Sequence, residues 1–505
     1  MGSGALTLNQ AILIAAIFEF LGAMILGRVS TKTIAAGIAD IKEFKNQPFA
    51  YSYGMMWTLL VGGAWQGWAS TKGLNVSATH SIIAGIIGFA LAFNGEHGVL
   101  WITQDPASIP PYKGVIPIVL AWFFAPLATG FCSATLFLIT RTVVLRNENS
   151  YERSFWTLPI FVIICTWINV YFVFVKGAKK TIGDGDGWDD NKAAWVAAII
   201  AFGFGLIAIA LIPWVRRRAV WLDERHQQRQ VAYDNYQKSL QTQEATGLDG
   251  IELTEKPDVA DVTEGSAGDL STKKGMMASI QQNSIVRNVR DFFNFNGLDL
   301  GKAEEKDANG NLVISKEWIN DFEPHVQALQ DRAEVFDAKT ERVFGVLQIF
   351  TAICVMFAHG AGEVGYMAGP LATIWAVNQT GKLPKEVNAP IWVLLIAALS
   401  LVAGLATYGK TMTKAVGTEM CKITPARGFA AELSTAIVIM VASQFGLPTS
   451  SSQCITGGIV GIGMCEGSTG VNWLFFFQTF SSWIVTMFVM GVGVGLLFTQ
   501  GHTAP

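Results

Sequence analysis

The sequence predicts an all-α integral membrane protein made of two inverted repeats of transmembrane helices, with broken or re-entrant segments and about 11 membrane segments. Three observations predict it: charge confined to one stretch, apolar runs of helix-spanning length, and an internal repeat. Of 505 residues, 51% are hydrophobic and 15% charged, and mean hydropathy is +0.37. Arg216–Arg342 carries 40 of the 75 charged side chains, 17 basic and 23 acidic. The rest of the chain is too poor in charge to cover a soluble surface. A net charge of −3 excludes a generally nucleic-acid-binding chain. The six cysteines (Cys132, Cys165, Cys354, Cys421, Cys454, Cys465) show no C-x-x-C or metal-ligand spacing, so neither a disulfide framework nor a metal site is expected. Met1–Gln10 holds no Lys or Arg, so the basic start of a signal peptide is missing.

Crossing a bilayer takes about 20 apolar residues. Leu8–Gly27 and Tyr51–Ala69 meet that length, and Thr79–Phe93 falls short behind a Gly- and Ser-rich break. Val115–Thr140, Phe155–Val175 and Ala193–Val215 follow, all long and nearly uncharged. After the polar stretch come Val343–Ala358, Gly360–Val377, Ile391–Tyr408, Gly428–Phe445, the short Ser450–Met464 and Trp473–Phe498. The short segments read as re-entrant hairpins or broken helices, tolerated where backbone lines a cavity. The aromatic clusters Trp57, Trp65, Trp68 and Phe475–Phe477 read as interfacial or lipid-facing.

Three parts result: a membrane repeat at 1–215, a polar cytoplasmic loop at 216–342, partly disordered, and a second membrane repeat at 343–505. The cytoplasmic assignment rests on Arg141, Arg146 and Arg153 in one loop and Arg216–Arg218 at the end of the second span after it, since short basic loops stay inside. Between them, Lys176–Lys192 holds a Gly-Asp-Gly-Asp-Gly run. It lacks the later Glu of a calcium loop and reads as a solvated turn. Within the polar loop, Ala219–Ala245 is helical in pattern, Asn283–Asn294 and Glu317–Val335 suit short surface helices, and Thr246–Gly275 is acidic and rich in Gly, Ser and Thr.

A shift of 373 lays Ala69–Gly88 on Ala442–Gly461 without a gap, with nine identities in twenty positions, among them Gly73/Gly446, Ser77/Ser450 and Gly88/Gly461. A shift of 382 matches Leu13–Ala16, Gly22, Gly27, Thr31 and Lys32 to Leu395–Ala398, Gly404, Gly409, Thr413 and Lys414. Two homologous halves around an insert are typical of secondary transporters, with the site at the midplane between them. Val343–Thr380 has no counterpart in the first half. A further span of about 40 residues with its polar motif, by the same repeat logic, is therefore expected upstream of Met1, or one half-site is lacking.

The paired motifs Gly73-Leu74-Asn75-Val76-Ser77-Ala78-Thr79-His80 and Gly446-Leu447-Pro448-Thr449-Ser450-Ser451-Ser452-Gln453 carry the chemistry. A Gly ends one helix and hydroxyls open the next, so hydroxyls and free N–H groups gather at a helix N-terminus, an anion site. One copy alone would be ordinary capping; two repeat-related copies in apolar surroundings point to a site. Glu363, behind His359-Gly360-Ala361-Gly362 at an expected helix break, is an intramembrane carboxylate and reads as functional. Glu19 and Glu432 are two more buried acids, suited to structural pairing or to coupling and gating. His359 reads as a hydrogen-bonded core residue rather than a metal ligand.

At these residues the sequence resembles the inorganic phosphate transporter (PiT) family, sodium- or proton-coupled symporters. The resemblance covers both membrane halves. It rests on the two hydroxyl motifs, on Phe357–Pro370 as the second-half signature, on Thr424-Pro425-Ala426-Arg427-Gly428-Phe429, and on Glu19 and Glu432. It implies phosphate held by Ser77, Thr79, Ser450, Ser451 and Ser452, with Glu363, Glu19 and Glu432 in ion coupling and gating. Gly362 and Tyr366 stand where the family has Asn, Glu363 where it has Asp, and Gln453 where it has His. Fewer amide oxygens and a longer carboxylate move the expectation from a sodium ion toward a proton. The expected partners are inorganic phosphate, the coupling cation (Na+ or H+) and membrane lipid, with a homo-oligomer compatible and no nucleic acid. No organic cofactor and no metal are expected, and the plasma membrane is the expected location. Two alternatives remain: a phosphate-binding sensor, or a symporter of another oxyanion such as sulfate. An enzyme is not expected, because no nucleophile–base pair or phosphate-cradling loop is present.

Overall fold

Apolar runs in a low-dielectric surround form helices because each backbone N–H and C=O must find a partner within its own segment. The computed structural model describes residues 3–6, 8–104, 111–178, 190–246, 324–384, 387, 389–444 and 447–503. Its helices are α1 (Leu8–Ala36), α2 (Pro48–Thr71), α3 (Ala78–Asn94), α4 (Val115–Thr140), α5 (Ser150–Phe172), α6 (Asp190–Thr246), α7 (Pro324–Arg332), α8 (Ala338–Thr380), α9 (Ile391–Glu419), α10 (Pro425–Gln444), α11 (Ser451–Met464) and α12 (Trp473–Thr503). A two-residue antiparallel ladder, Thr103–Gln104 against Tyr112–Lys113, is the one sheet among the described residues. Nine of the described helices are long and apolar enough to span a membrane; α2, α7 and α11 are not among them. By contact the chain divides into Met1–Arg217 with Phe322–Pro505, and Arg218–Asp321. Both membrane halves fall in the first unit. Of the second, only 218–246 is described, as the end of α6.

Two expectations change. Val343–Ala358 and Gly360–Val377 are not separate spans: α8 runs unbroken for 43 residues through Gly360, Gly362 and Glu363. At 1.5 Å per residue it is about 65 Å long, twice the hydrocarbon thickness. Of the glycines that suggested a break, Gly360 instead lets two helices touch, while Gly362 has nothing near its Cβ. A Cβ on Gly360 would overlap the Glu19 carbonyl, and one on Gly22 the Phe357 carbonyl, so α1 and α8 cross backbone to backbone, as small residues permit in membranes. Thr79–Phe93 is also longer than expected: with the turn after α3 it makes a span of 21 residues, Ala78–Gly98. The second short segment, α11, stays at 14 residues. Of the insert's expected helices, Ala219–Ala245 lies within α6, and Glu317–Val335 contains α7 only. Asn283–Asn294 and the Gly-Asp run lie outside the described residues.

The repeat is visible in the packing. By the shifts above, α1, α2 and α3 correspond to α9, α10 and α11. The main partner of α3 is α12, and that of α11 is α4, so each hydroxyl-led helix packs on the helix that follows its mate. The repeat mates Gly88 and Gly461 make these crossings. A Cβ on Gly88 would strike the Gly491 carbonyl, and one on Gly461 the Gly130 carbonyl.

One end of the bundle is held by charge. Arg427, only 1% exposed, donates to Glu466 Oε1 at 2.6 Å and to the Glu334 carbonyl at 2.9 Å. Its guanidinium lies over the Phe137 and Phe336 rings at 5.3 and 5.2 Å. Arg146 forks onto the Glu334 carboxylate with two 2.9 Å bonds. Glu334, at the insert's return, thereby joins a cluster built from both halves. Arg216 donates to Glu152 at 2.7 Å, joining the middle of α6 to the first turn of α5.

Two predictions follow from this packing. Gly360→Leu forces two backbones apart, so thermal unfolding in detergent should show a loss of about 1–3 kcal/mol. Gly63→Ala, with nothing near its Cβ, should be neutral or better by up to about 1 kcal/mol; equal effects of the two would refute the crossing. The Arg146 fork holds the Glu334 carboxyl below its ordinary range. A lowered folded value means the stabilisation is complete above the ordinary range and fades as pH falls through the lowered one. The stability gap between wild type and Glu334→Gln should therefore be present at neutral pH and close in acid. A gap that persists at acid pH would remove the assignment.

Candidate functional site

Helix N-termini carry unpaired N–H groups and a partial positive charge, and here two of them are brought together in the interior. Ser77 and Ser450 are the N-caps of α3 and α11, each hydroxyl accepting from the N–H three residues on, at His80 (3.3 Å) and Gln453 (3.4 Å). The two cap hydroxyls lie 2.9 Å apart. Beyond them, His80 Nε2 and Gln453 Nε2 are 3.3 Å apart, and the His80 ring lies against Trp122 at 3.9 Å. Both contacts join residues 373 apart, so each residue meets its own repeat mate.

Two further hydroxyl contacts lie beside this junction: Ser450 Oγ to Ser452 Oγ at 3.0 Å, and Ser451 Oγ donating to Glu363 Oε1 at 2.7 Å. Ser451, Ser452, Glu363 and His359 line a cavity of about 540 Å³ whose remaining lining, from α2, α8 and α9, is mostly apolar apart from Gln66 and Ser400. The N–H groups of Ser451 and Ser452, first in α11, have no acceptor within the helix. Glu363 Oε2 is buried without a partner. His359, one turn before Glu363, has Nδ1 3.2 Å from Glu19 Oε1. The cavity thus offers N–H and hydroxyl groups on one wall and a carboxylate and an imidazole on the other.

The structure sorts the residues singled out from sequence. Ser451, Ser452 and Glu363 line the cavity, and Glu19 stands behind it through His359. Ser77 and Ser450 are turned to capping and to each other. Thr79, the mate of Ser452, is fully buried with an unpaired hydroxyl and does not line the cavity. Glu432 lies apart, accepting from Gln348 at 3.0 Å and Thr351 at 2.8 Å, while Ser3 donates to Gln348 at 2.6 Å. Gln66 was missed by sequence reasoning. It lines the cavity and donates to Ser81 at 3.0 Å, and Ser81 in turn donates to the Ser77 carbonyl. The signal in the sequence is a single amide between Trp65 and Trp68, in a helix that also carries Ser52, Thr58, Ser70 and Thr71.

The family model for the phosphate transporter family matches residues 1–493. The chain belongs to the phosphate transporter family. It is a multi-pass membrane protein of a transporter family, not of an enzyme family. Among its relatives, the sodium-dependent phosphate transporter 2 of Xenopus tropicalis is 25% identical, over 100% of this chain and 93% of that protein. The phosphate-repressible phosphate permease pho-4 of Neurospora crassa is 27% identical, over 99% and 92%. A solved structure titled "The sodium-dependent phosphate transporter" shares the fold, with a TM-score of 0.65 at 22% identity, covering 100% of this chain and 92% of that one. In this family member the hydroxyl motifs and the carboxylate-bearing helix, more than 280 residues apart for Ser77 and Glu363, converge around one cavity.

The head-to-head cap contact has a measurable consequence. Ser77→Ala and Ser450→Ala should each cost about 1 kcal/mol as lost caps. The double variant should depart from additivity by at least about 0.5 kcal/mol, as expected of residues in direct contact. Strict additivity in thermal unfolding would mean that the two hydroxyls do not meet.

Proposed function

We propose that this chain imports inorganic phosphate by sodium symport, with the cavity beside α11 as the substrate site. The observation that carries the reading is the convergence of two repeat-related, hydroxyl-capped helix N-termini next to that cavity, in a member of the phosphate transporter family. An anion seated on the N–H groups of Ser451 and Ser452 gains from unpaired donors and the helix dipole together. The Ser452 hydroxyl completes the cradle. Ser77, Ser450 and Thr79 hold the two helix starts in place behind it.

Sodium is the coupling ion of this reading because relatives are named sodium-dependent phosphate transporters. Carboxylate oxygens of Glu363 and Glu19 are hard ligands suited to it, with His359 beside Glu19. Glu432, away from the cavity, belongs to gating: its bonds tie α8 to α10. The reciprocal pairing of α3 with α12 and α11 with α4 supports two inverted repeats, 1–215 and 343–505, rocking against each other. The polar segment 216–342 lies in the cytoplasm, and the membrane is the plasma membrane.

Labelled-phosphate uptake into cells lacking their own phosphate uptake tests this reading. Uptake should require sodium, fall when choline replaces it, and change little between two pH values at fixed sodium. Ser452→Ala should lower uptake at sub-saturating phosphate about tenfold, the value of one hydrogen bond to a charged group. Glu432→Gln should lower the maximal rate and leave half-saturation in place. Uptake that ignores both sodium and Ser452 would sink the proposal; uptake that follows pH instead of sodium would assign the coupling to a proton.

A further inference from the structure

The arrangement at Glu363 poses a chemical question for any oxyanion in the cavity. Glu363 is 8% exposed. One of its oxygens already takes the Ser451 proton at 2.7 Å, and the other is buried with no partner in a residue that lines the cavity. A serine hydroxyl has one proton to give, so Ser451 offers an incoming anion its N–H and its lone pairs only. An oxyanion on the N-terminus of α11 therefore has donors on that side and, across from them on α8, the Glu363 carboxylate, one oxygen of which has no partner. The repeat mate of Ser451 is Ala78, which also lines the cavity and brings no hydroxyl, so the repeat supplies no counterpart of the donor committed to Glu363.

An acceptor facing an acceptor is repulsive and leaves both desolvated. Sulfate at neutral pH has acceptors only. Phosphate and arsenate keep at least one O–H in both their mono- and dianionic forms, and an O–H···O⁻ bond to a carboxylate is short and charge-assisted. We propose that Glu363 determines specificity: its free carboxylate oxygen accepts a hydrogen bond from the P–OH of phosphate and so excludes oxyanions that carry no proton, sulfate first among them. This deepens the phosphate reading of the same cavity and rests on it. It assigns Glu363 a contact with the substrate in addition to its place in coupling, and it orients the anion, hydroxyl toward α8 and bare oxygens toward α11.

A site built to bond a substrate hydroxyl rejects the analogue lacking it by about 10⁴-fold when dry, and a cavity of this size lowers the expected ratio to about 100-fold. The test is a thermal-shift titration of the purified full-length chain in detergent and sodium, with four probes: phosphate, arsenate, sulfate and fluorophosphate, a near-isostere of the phosphate dianion without its hydroxyl. Wild type should bind phosphate and arsenate and bind sulfate and fluorophosphate about 100-fold more weakly. In Glu363→Gln the carboxamide can donate to a bare oxygen, so phosphate should weaken and the ratio should fall to within about tenfold. Ser451→Ala keeps the carboxylate and should keep the preference. An unchanged ratio in Glu363→Gln overturns the assignment. Should that variant not fold, equal binding of fluorophosphate and phosphate by wild type overturns it too. Binding of none of the four by wild type would instead remove the phosphate reading beneath it.

Discussion

The constraint on which the rest of the structure depends is the burial of two helix N-termini against each other. Each brings N–H groups that no helix can satisfy, into surroundings where an unpaired polar group costs several kcal/mol in hydrocarbon, by order of magnitude. Ser77 and Ser450 solve part of this by capping their own helices and sharing one contact 2.9 Å long. They do not solve all of it. Thr79 Oγ1, His80 Nδ1 and Gln453 Oε1 stay buried without partners around the junction, and Glu363 Oε2 does so on the cavity side. Uncommitted polarity at the centre of an apolar bundle marks where a polar guest is stabilised most.

That junction can exist only if helices approach closely enough to seal it, and the glycines provide this. Gly88 on Gly491 and Gly461 on Gly130 let α3 and α11 lie directly on α12 and α4. Gly22 and Gly360 do the same for α1 and α8, which sets the face of α8 that carries His359 and Glu363 at its place in the cavity wall. The buried Arg427 cluster then fixes one end. Removing one partner of such a pair leaves an uncompensated charge, at about 3–5 kcal/mol, so Glu466 and Arg427 hold that end more firmly than the half-exposed Arg146 fork can.

Much of this was legible in the sequence, and the limits of legibility are physical. The hydroxyl motifs could be found because a repeat marks the same local need twice, and both fold as caps. Apolar run length gave the helices. The reading of Gly360 as a break failed because glycine has two uses in a membrane, interrupting a helix and admitting a neighbour, and only the neighbour's position tells them apart. The separation of Glu432 from Glu363 and Glu19 was invisible for a related reason. All three are isolated acids in apolar runs, and which wall each reaches depends on helix rotation, which no linear spacing between distant segments encodes. Gln66 escaped because a single amide in an apolar helix has the same pattern whether it serves packing or a site.

The charges around the cavity join substrate and coupling ion in one argument. Its wall holds the Glu363 carboxylate, and its imidazole, His359, is already beside the Glu19 carboxylate. Two carboxylates stand against one imidazole and two helix N-termini, each worth about half a positive charge, so the site has no surplus of positive charge. A phosphate adds one or two negative charges to it. Opposed unit charges 4 Å apart at an effective dielectric of about 20 are worth about 4 kcal/mol, so a cation entering with the anion offsets most of that excess and neither fills the site well alone. At the site proposed here, electrostatics alone favours a cation entering with the anion.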